Sequence, residues 1–483
     1  MGIFKTLRER NKIIQFLVNS QKTVWYPILF AVLSVISGTN NHTVYLPILC
    51  ILCATVLFSV LFTDDNKVFL TPLLMIFYSL GFDNPPSSFD TSGGDMLASF
   101  DPNAFKGVIV CAVITVGAFL IRLILDGSMA AAFKKSSLLS WSILALAAAF
   151  ILNGAFSSGY EISNLWWGLF IAFGITAVYF LVHGMLDKSV DLLPYACQIM
   201  ICLSYTVLFQ IAVISYRAIQ KGTFFLSDSW RINRSCFFLS WGVATVIGAV
   251  LVLGIPAALY LAKNHKHGWF SYISAALFIC GAFVVNTRSA IIVGLFIFIV
   301  SAITCCVSGK YKTHNVIYFI LFAILPAAII WFSINRPEIK SDIIEKIIDS
   351  FLHARGDSNR LALWENGISD FLSAPLFGVG FNDGGYVDIE YKNIFSKMYH
   401  SIGVEFLGAT GIVGSLTFVF HLFALARLFF KKFSSCKMLI MMIPAMIIGM
   451  TIVDNFFFYL NFQITYSTFL VIAEKQLESK DIA

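Results

Sequence analysis

Residues 269–307 read WFSYISAALFICGAFVVNTRSAIIVGLFIFIVSAITCCV. Two apolar runs, 269–286 and 288–307, each approach the roughly 20 residues that a helix needs to cross the hydrocarbon core of a bilayer. They meet at Asn286-Thr287-Arg288-Ser289-Ala290, a break between spans. The same alternation extends in both directions. Candidate spans fall at 24–38, 44–62, 67–82, 104–125, 138–153, 164–183, 192–216, 235–262, 269–286, 288–307, 315–333, 401–430, 437–453 and 456–472. Of these, 67–82, 437–453 and 456–472 are short enough to be re-entrant. The expected fold is an all-α polytopic membrane protein with about 12–14 transmembrane helices.

Composition agrees. The chain is 58% hydrophobic and 12% charged, with a mean hydropathy of +0.82, against roughly 25% charged residues in a soluble domain. A water-soluble fold of 483 residues could not hide that much apolar surface, so the excess faces lipid. The net charge of +6 invites a nucleic-acid partner, but Lys and Arg sit in short clusters between apolar runs, as positive-inside anchors do. No nucleic acid is expected. The ten cysteines, mostly inside apolar runs, read as small buried hydrophobes. Cys50-x-x-Cys53 has metal or redox spacing but lies mid-span without partner ligands. The basic start, with Lys5, Arg8, Arg10, Lys12 and Lys22, lacks a small-residue cleavage site and runs directly into further spans. It reads as a cytoplasmic lead into the first helix.

Loop charges set the expected orientation. Lys134–Lys135, Lys188, Lys263–His265–Lys266, Lys310–Lys312, Lys431–Lys432–Lys437 and Lys475 fall on the side of the N-terminal cluster. The acidic 83–103, with Asp83, Asp90, Asp95 and Asp101, and the Gly- and Ser-rich 153–163 fall on the other. Positive-inside logic makes the first side cytoplasmic, with both termini inside. Segment 217–234 is the exception: Arg217, Lys221, Arg231 and Arg234 lie on the expected outer side, either a basic surface or a fault in the threading. Arg122, at an inner span end, reads as a snorkelling residue.

The longest break in hydrophobicity, 334–400, is expected outside as a folded, largely helical loop. Ile339, Ile343, Ile344, Ile347, Ile348 and Phe351 form an apolar stripe suited to a helix lying on the membrane. A second helix is expected from about 360, with Leu361, Trp364, Ile368 and Phe371 on one face and Pro375 ending it. Gly378-Val379-Gly380 resembles part of a nucleotide loop but does not link a strand to a helix, so no nucleotide is expected.

Three cations on the expected outer side stand out. Arg288 opens a span, Arg360 opens the second loop helix, and His400 leads into the span at 401, with Arg355 close behind. A cation at a helix N-terminus opposes the helix dipole by a few tenths to about 1 kcal/mol. Such a collection makes electrostatic sense around an anion, which the free amides of the same helix ends also favour. Phosphate or diphosphate fits the bidentate arginine fork. A helix N-terminus also favours the neutral, proton-accepting imidazole of His400. Taken singly, each residue has a plainer reading, as a headgroup-snorkelling Arg or a structural His; their coincidence on one face favours function.

At these residues the chain resembles the O-antigen ligase and O-antigen polymerase superfamily of bacterial envelope glycosyltransferases. The motifs run in order: Asn286-Thr287-Arg288-Ser289-Ala290, then Arg360-Leu-Ala-Leu-Trp364, Ser373-Ala-Pro375-Leu-Phe-Gly378-Val-Gly380, Tyr399-His400-Ser401, and Leu407-Gly408-Ala-Thr-Gly411-Ile-Val-Gly414. They cover about 268–420. The family often has His-Asn where this chain has His400-Ser401, a departure that weakens subfamily assignment; Ser401 can still cap the helix. The resemblance implies a GT-C-like multi-span glycosyltransferase fold, an undecaprenyl-diphosphate-linked oligosaccharide donor and an acceptor glycan. It also implies transfer at the outer face of the cytoplasmic membrane without metal, nucleotide or other cofactor, with a chain-length regulator protein as a candidate partner. On this reading the chain divides into an N-terminal bundle 1–267, a core 268–430 containing the loop, and C-terminal helices and tail 431–483.

The chemistry assigns roles. Arg288 and Arg360, with Arg355 in support, would neutralise the diphosphate leaving group, and His400 would deprotonate the acceptor hydroxyl, inverting the anomeric centre. Glu405, about one turn inside the span, is an intramembrane charge and a candidate orienting group; Asp383 and Asp388 are candidate acceptor contacts. A polymerase extending one lipid-linked glycan with another is the first expectation, and a ligase transferring finished glycan to a lipid A core or protein the second. A lipid-linked oligosaccharide flippase would need charges along a central cavity, whereas the strong charges here cluster at one face. A structural scaffold gives no reason for dipole-opposed cations at three helix starts.

Overall fold

The computed structural model describes residues 2–39, 42–79, 102–125, 137–158, 162–186, 192–225, 232–239, 241–322, 357–381, 386–389, 392–395, 399–452 and 454–478. The expected surface helix at 339–351, Arg355, Asp383, Lys134–Lys135, Lys188, Arg231, the second half of the 315–333 span and most of the acidic 83–103 lie outside these residues. Helices dominate. Six are long and apolar enough to cross a membrane: Leu138–Phe156, Ile162–Met185, Leu192–Gln220, Ala244–Asn264, Arg288–Ser308 and Ile402–Phe430. Shorter apolar helices lie at Trp25–Ser37, Pro47–Phe62, Val113–Leu125, Trp269–Val284 and Ser435–Thr451. The protein is an α-helical, multi-pass membrane protein.

The chain forms two compact units, neither continuous in sequence. Unit one takes 1–85, 101–118 and 190–355. It holds α1 (Gly2–Arg10), α2 (Lys12–Gln21), α3 (Trp25–Thr39), α4 (His42–Phe62), α5 (Leu70–Met75) and the first part of α6 (Pro102–Leu125). Its later helices are α9 (Leu192–Gln220), α10 (Ala244–Val252), α11 (Gly254–Asn264), α12 (Trp269–Val284), α13 (Arg288–Ser308) and α14 (312–322). Unit two takes 86–100, 119–189 and 356–483. It holds α7 (Leu138–Phe156), α8 (Ile162–Met185), α15 (Asp357–Ser373), α16 (Ile402–Phe430), α17 (Ser435–Thr451) and α18 (Leu460–Glu478).

Several expectations change. Of the span expected at 67–82, the described part, which ends at 79, is the six-residue α5 between two 3-10 segments, Asn66–Phe69 and Ile76–Ser79. The span expected at 235–262 begins with a tight hairpin, β1 (Phe238–Leu239) against β2 (Gly242–Val243), and turns helical only at Ala244. Inside the loop a second antiparallel hairpin pairs β3 (Tyr386–Ile389) with β4 (Lys392–Phe395), setting Asp388 opposite Asn393. On α15 the expected face is not the buried one: Leu361 and Ile368 are half exposed, whereas Leu363 and Gly367 are buried. Gly367 lies close under Val404 and Tyr399, and this close approach selects a small residue over the larger apolar ones. Arg122 is buried, at 6% exposure, rather than snorkelling outward.

Unit two is held by a phenylalanine core and by polar ties between helices. Phe406 stacks on Phe418 at 4.3 Å and meets Phe150 and Phe458 at 5.9 and 5.7 Å. Phe381 joins Phe150 and Phe458 at 5.7 and 5.4 Å. Lipid is as apolar as these rings, so their close dispersion contacts and interhelical hydrogen bonds carry the association. His421 supplies one such tie, with Nδ1 2.9 Å from the Ser142 hydroxyl on α7 and Nε2 2.7 Å from the Tyr466 hydroxyl on α18. At the start of α7, Ser137 and Ser140 cap each other's backbone amides at 3.0 and 2.8 Å, satisfying two groups that a helix start leaves open.

Candidate functional site

Unit two presents a compact polar cluster where the chain enters α16. His400 stands just before the Ser401 N-cap in a left-handed backbone conformation, φ +54°. Such a conformation in a non-glycine residue costs of order 1–3 kcal/mol and persists only where neighbours enforce it. They do so here on both sides. The Tyr399 amide donates to the Glu405 carboxyl at 2.9 Å, and the Tyr399 hydroxyl donates to Asp370 on α15 at 2.6 Å. The Glu405 amide donates to the Ser401 carbonyl at 2.8 Å.

The His400 ring faces a residue from a different part of the chain. Its Nδ1 lies 3.2 Å from an Asp454 carboxyl oxygen, and the ring is 38% exposed while Asp454 is 9% exposed. The same Asp454 oxygen accepts the Asn455 amide at 2.8 Å. Asn455 reaches back from its side-chain nitrogen to Glu405 at 3.2 Å. Glu405 and Asn455 are fully buried, at 1% and 0% exposure. Glu405 therefore orients the backbone beside the histidine rather than its ring, and Asp454 addresses the ring. With Nδ1–H turned to Asp454, Nε2 keeps its lone pair, the form a general base requires.

The turn beneath this cluster explains the glycine-rich motifs. Gly411, with φ +65° and ψ −160°, breaks the helical path of α16. The carbonyls of Gly408 and Ala409 are thereby free to accept the amides of Val379 and Gly380 at 3.0 and 3.1 Å. The Ile412 and Val413 amides donate to Pro375 and Leu376 at 2.8 and 3.2 Å. Segment 375–380 is thus laced to the α16 kink, and a side chain on Gly411 would meet the Leu376 carbonyl at 2.6 Å. Asn153 of α7 adds hydrogen bonds to the carbonyls of Phe377 and Ala409.

The remaining candidates are placed as follows. Arg360 is half-buried in the first turn of α15, in unit two. Arg288 belongs to unit one and is the first residue of α13. The Thr287 hydroxyl at that helix's N-cap donates to the Ala244 carbonyl at 2.9 Å instead of capping. The first amides of α13 are left for another acceptor beside a half-buried cation. Neither arginine makes an ion pair among the described residues. Ser401, expected to cap α16 by its side chain, makes no such bond. Among the described residues no group of three or more His, Cys, Asp or Glu could hold a metal ion.

Residues 273–419 match the family model described as O-antigen ligase. The matched segment takes in Arg288, Arg360, His400, Glu405 and the interlocked glycine motifs. No curated protein matches the chain. Asp454 and Asn455 lie beyond the matched segment. No reading of the sequence singled them out, because they stand alone in the short gap between the candidate spans 437–453 and 456–472. An ionisable residue buried at a span boundary was the available signal.

Proposed function

We propose that the chain is a polysaccharide polymerase of the O-antigen type. It transfers an undecaprenyl-diphosphate-linked glycan to an acceptor sugar hydroxyl at the outer face of the bacterial cytoplasmic membrane, with 12–14 spans and both termini inside. The observation that carries the reading is the His400–Asp454 pair, a partly exposed imidazole backed by a buried carboxyl group, whose histidine lies in the segment that matches the O-antigen ligase family. In the proposed step the acceptor oxygen attacks the anomeric carbon as its proton passes to His400 Nε2. The anomeric carbon–oxygen bond to the diphosphate breaks, and undecaprenyl diphosphate leaves with the bonding pair. Arg360 and Arg288 are assigned to the diphosphate on their chemistry, each within its own unit, because bidentate guanidinium donors stabilise charge that grows on the leaving phosphate. The ligase reading stands second, favoured by the description of the matching family.

The test replaces His400, Arg288 and Arg360 singly with Ala in a strain lacking the native gene, with surface polysaccharide resolved on a gel. Loss of the ladder in each variant supports the mechanism; full-length ladders from all three overturn it. In the deletion strain, surface glycan of a single repeat indicates a polymerase, and lipid-linked polymer that is never attached indicates a ligase.

A further inference from the structure

Unit one carries an apolar groove of about 490 Å³ between α2, the start of α3 and the end of α4. Phe16, Trp25, Ile51 and Phe58 line it, and Phe16 and Trp25 are 69% and 67% exposed. One helix wall is amphipathic in an unusual sense. Val18 and Gln21 anchor α2 inward, while Ile13, at 70% exposure, and Phe16 point away from the protein. A short helix with outward apolar residues and flanking cations suits the interface of a bilayer, where it lies in the plane of the headgroups.

Polar features gather at one end. Gln21, 7% exposed, lines the groove; its side-chain nitrogen donates to the Thr55 carbonyl at 3.4 Å, and its side-chain oxygen has no partner among the described residues. A buried acceptor without a donor is unfavourable, so a hydroxyl arriving from outside would relieve it. Next to Gln21, Lys22 contacts Asp64 at 2.5 Å, and Arg8 contacts the same carboxyl group at 3.3 Å and the Phe62 carbonyl at 3.2 Å. Two cations share one acid, the neighbouring Asp65 is paired with Lys67 at 3.3 Å, and Lys5, Arg10 and Lys12 flank Arg8 in the sequence, in a stretch whose one acidic residue before Asp64 is Glu9. The groove therefore joins an apolar channel to a net positive mouth.

We propose that this groove binds an anionic phospholipid. One acyl chain lies along Phe16, Trp25, Ile51 and Phe58, the phosphate sits at Arg8 and Lys22, and a headgroup or glycerol hydroxyl donates to Gln21. Each basic residue near the surface attracts an anionic headgroup, and the apolar contact adds to that attraction.

The test is native mass spectrometry of the full-length protein in detergent, titrated with phosphatidylglycerol or with phosphatidylcholine of the same chains. Retention of the first phosphatidylglycerol several-fold above phosphatidylcholine is expected. Ala54→Trp, at an exposed lining position, should fill the groove and abolish retention of both. The double variant Arg8→Gln/Lys22→Gln should keep phosphatidylcholine retention and bring phosphatidylglycerol down to the same level, and it decides the matter should Ala54→Trp not fold. Equal retention of the two lipids by the unaltered protein overturns the proposal, as does retention unchanged by both variants. Preference for a polyprenyl phosphate over phosphatidylglycerol overturns it as well.

Discussion

Asp454→Asn is the sharpest perturbation of the proposed base. The substitution preserves the shape of the side chain, and its amide oxygen can still accept the Asn455 amide that Asp454 accepts at 2.8 Å. What it removes is the acid's charge, because the oxygen that accepts the Asn455 amide is the one that lies 3.2 Å from His400 Nδ1. Without that charge the imidazolium formed as His400 takes up the proton loses its stabilising partner. A positioned general base is worth about 10²- to 10⁴-fold in rate, and the orienting partner accounts for part of that. With the ring 38% exposed, water can replace some of the lost contact. The expected loss is about ten- to a hundredfold, or roughly 1.4–2.8 kcal/mol at 1.36 kcal/mol per decade. The assay is the rate at which labelled polymer appears after the variant gene is induced in the deletion strain, with expression checked by immunoblot. His400→Ala should lose more, about 10²-fold or beyond. The double variant should be no slower than His400→Ala alone, because residues acting as one unit do not add. An Asp454→Asn variant with full rate, or a double variant slower by the product of the two losses, would refute the pairing.

Three further outcomes are expected. Gly411→Ala should destabilise unit two by more than about 2 kcal/mol, since a left-handed position costs of order 1–3 kcal/mol and the added carbon meets the Leu376 carbonyl at 2.6 Å; fluorescence-detected gel filtration after a heat step reads it. Glu405→Ala leaves the Tyr399 amide and the Asn455 side chain without their shared acceptor, costing about 1–3 kcal/mol for each buried donor, whereas Glu405→Gln keeps an acceptor and should retain most of the melting temperature. Asp64 tests the basic mouth of unit one: partial burial alone would raise its pKa, but Lys22 and Arg8 outweigh this and hold it below the ordinary 3.8. Its stabilising effect is therefore present above that value and lost as pH falls through the lowered pKa, so Asp64→Asn should cost up to about 1 kcal/mol at pH 7 for so exposed a group and nothing at low pH, read as melting temperature against pH.

Much of this was legible in the sequence because a bilayer imposes a one-dimensional rule: apolar length sets each span. Arg288 and Arg360 were found as first-turn residues for the same reason, since breaks in hydrophobicity mark helix starts. Elements held by long-range partners were not legible. The helix break at Gly411 needs the amides of Val379 and Gly380 some thirty residues earlier, and only the order of the motifs hinted at their pairing. The buried face of α15 was misjudged because size alone ranks Leu361 and Ile368 above Gly367, while contact with Tyr399 demands the smaller residue. The hairpin of Tyr386–Ile389 with Lys392–Phe395 escaped notice because eight residues of alternating character are a weak signal beside so many long apolar runs. Asp454 was missed because its partner stands 54 positions away.

The interlock beneath His400 bears on the choice between a transferase and a carrier. A protein that moves a lipid-linked glycan across a bilayer works largely by rigid-body rocking of one bundle against another, which sets no demand on the angle of a single side chain. Here the backbone of segment 375–380 is bonded to the kink in α16, Asn153 ties α7 to the same carbonyls, and Tyr399 pins α15 to the residue before His400. The strained backbone of His400 is held between Glu405 on its own helix and Asp454 on another segment. Such a frame favours holding one imidazole at a fixed place and angle, which is what proton abstraction from a bound hydroxyl demands: a displacement of about 1 Å can cost a hundredfold in rate. A fixed imidazole is what the proposed base requires.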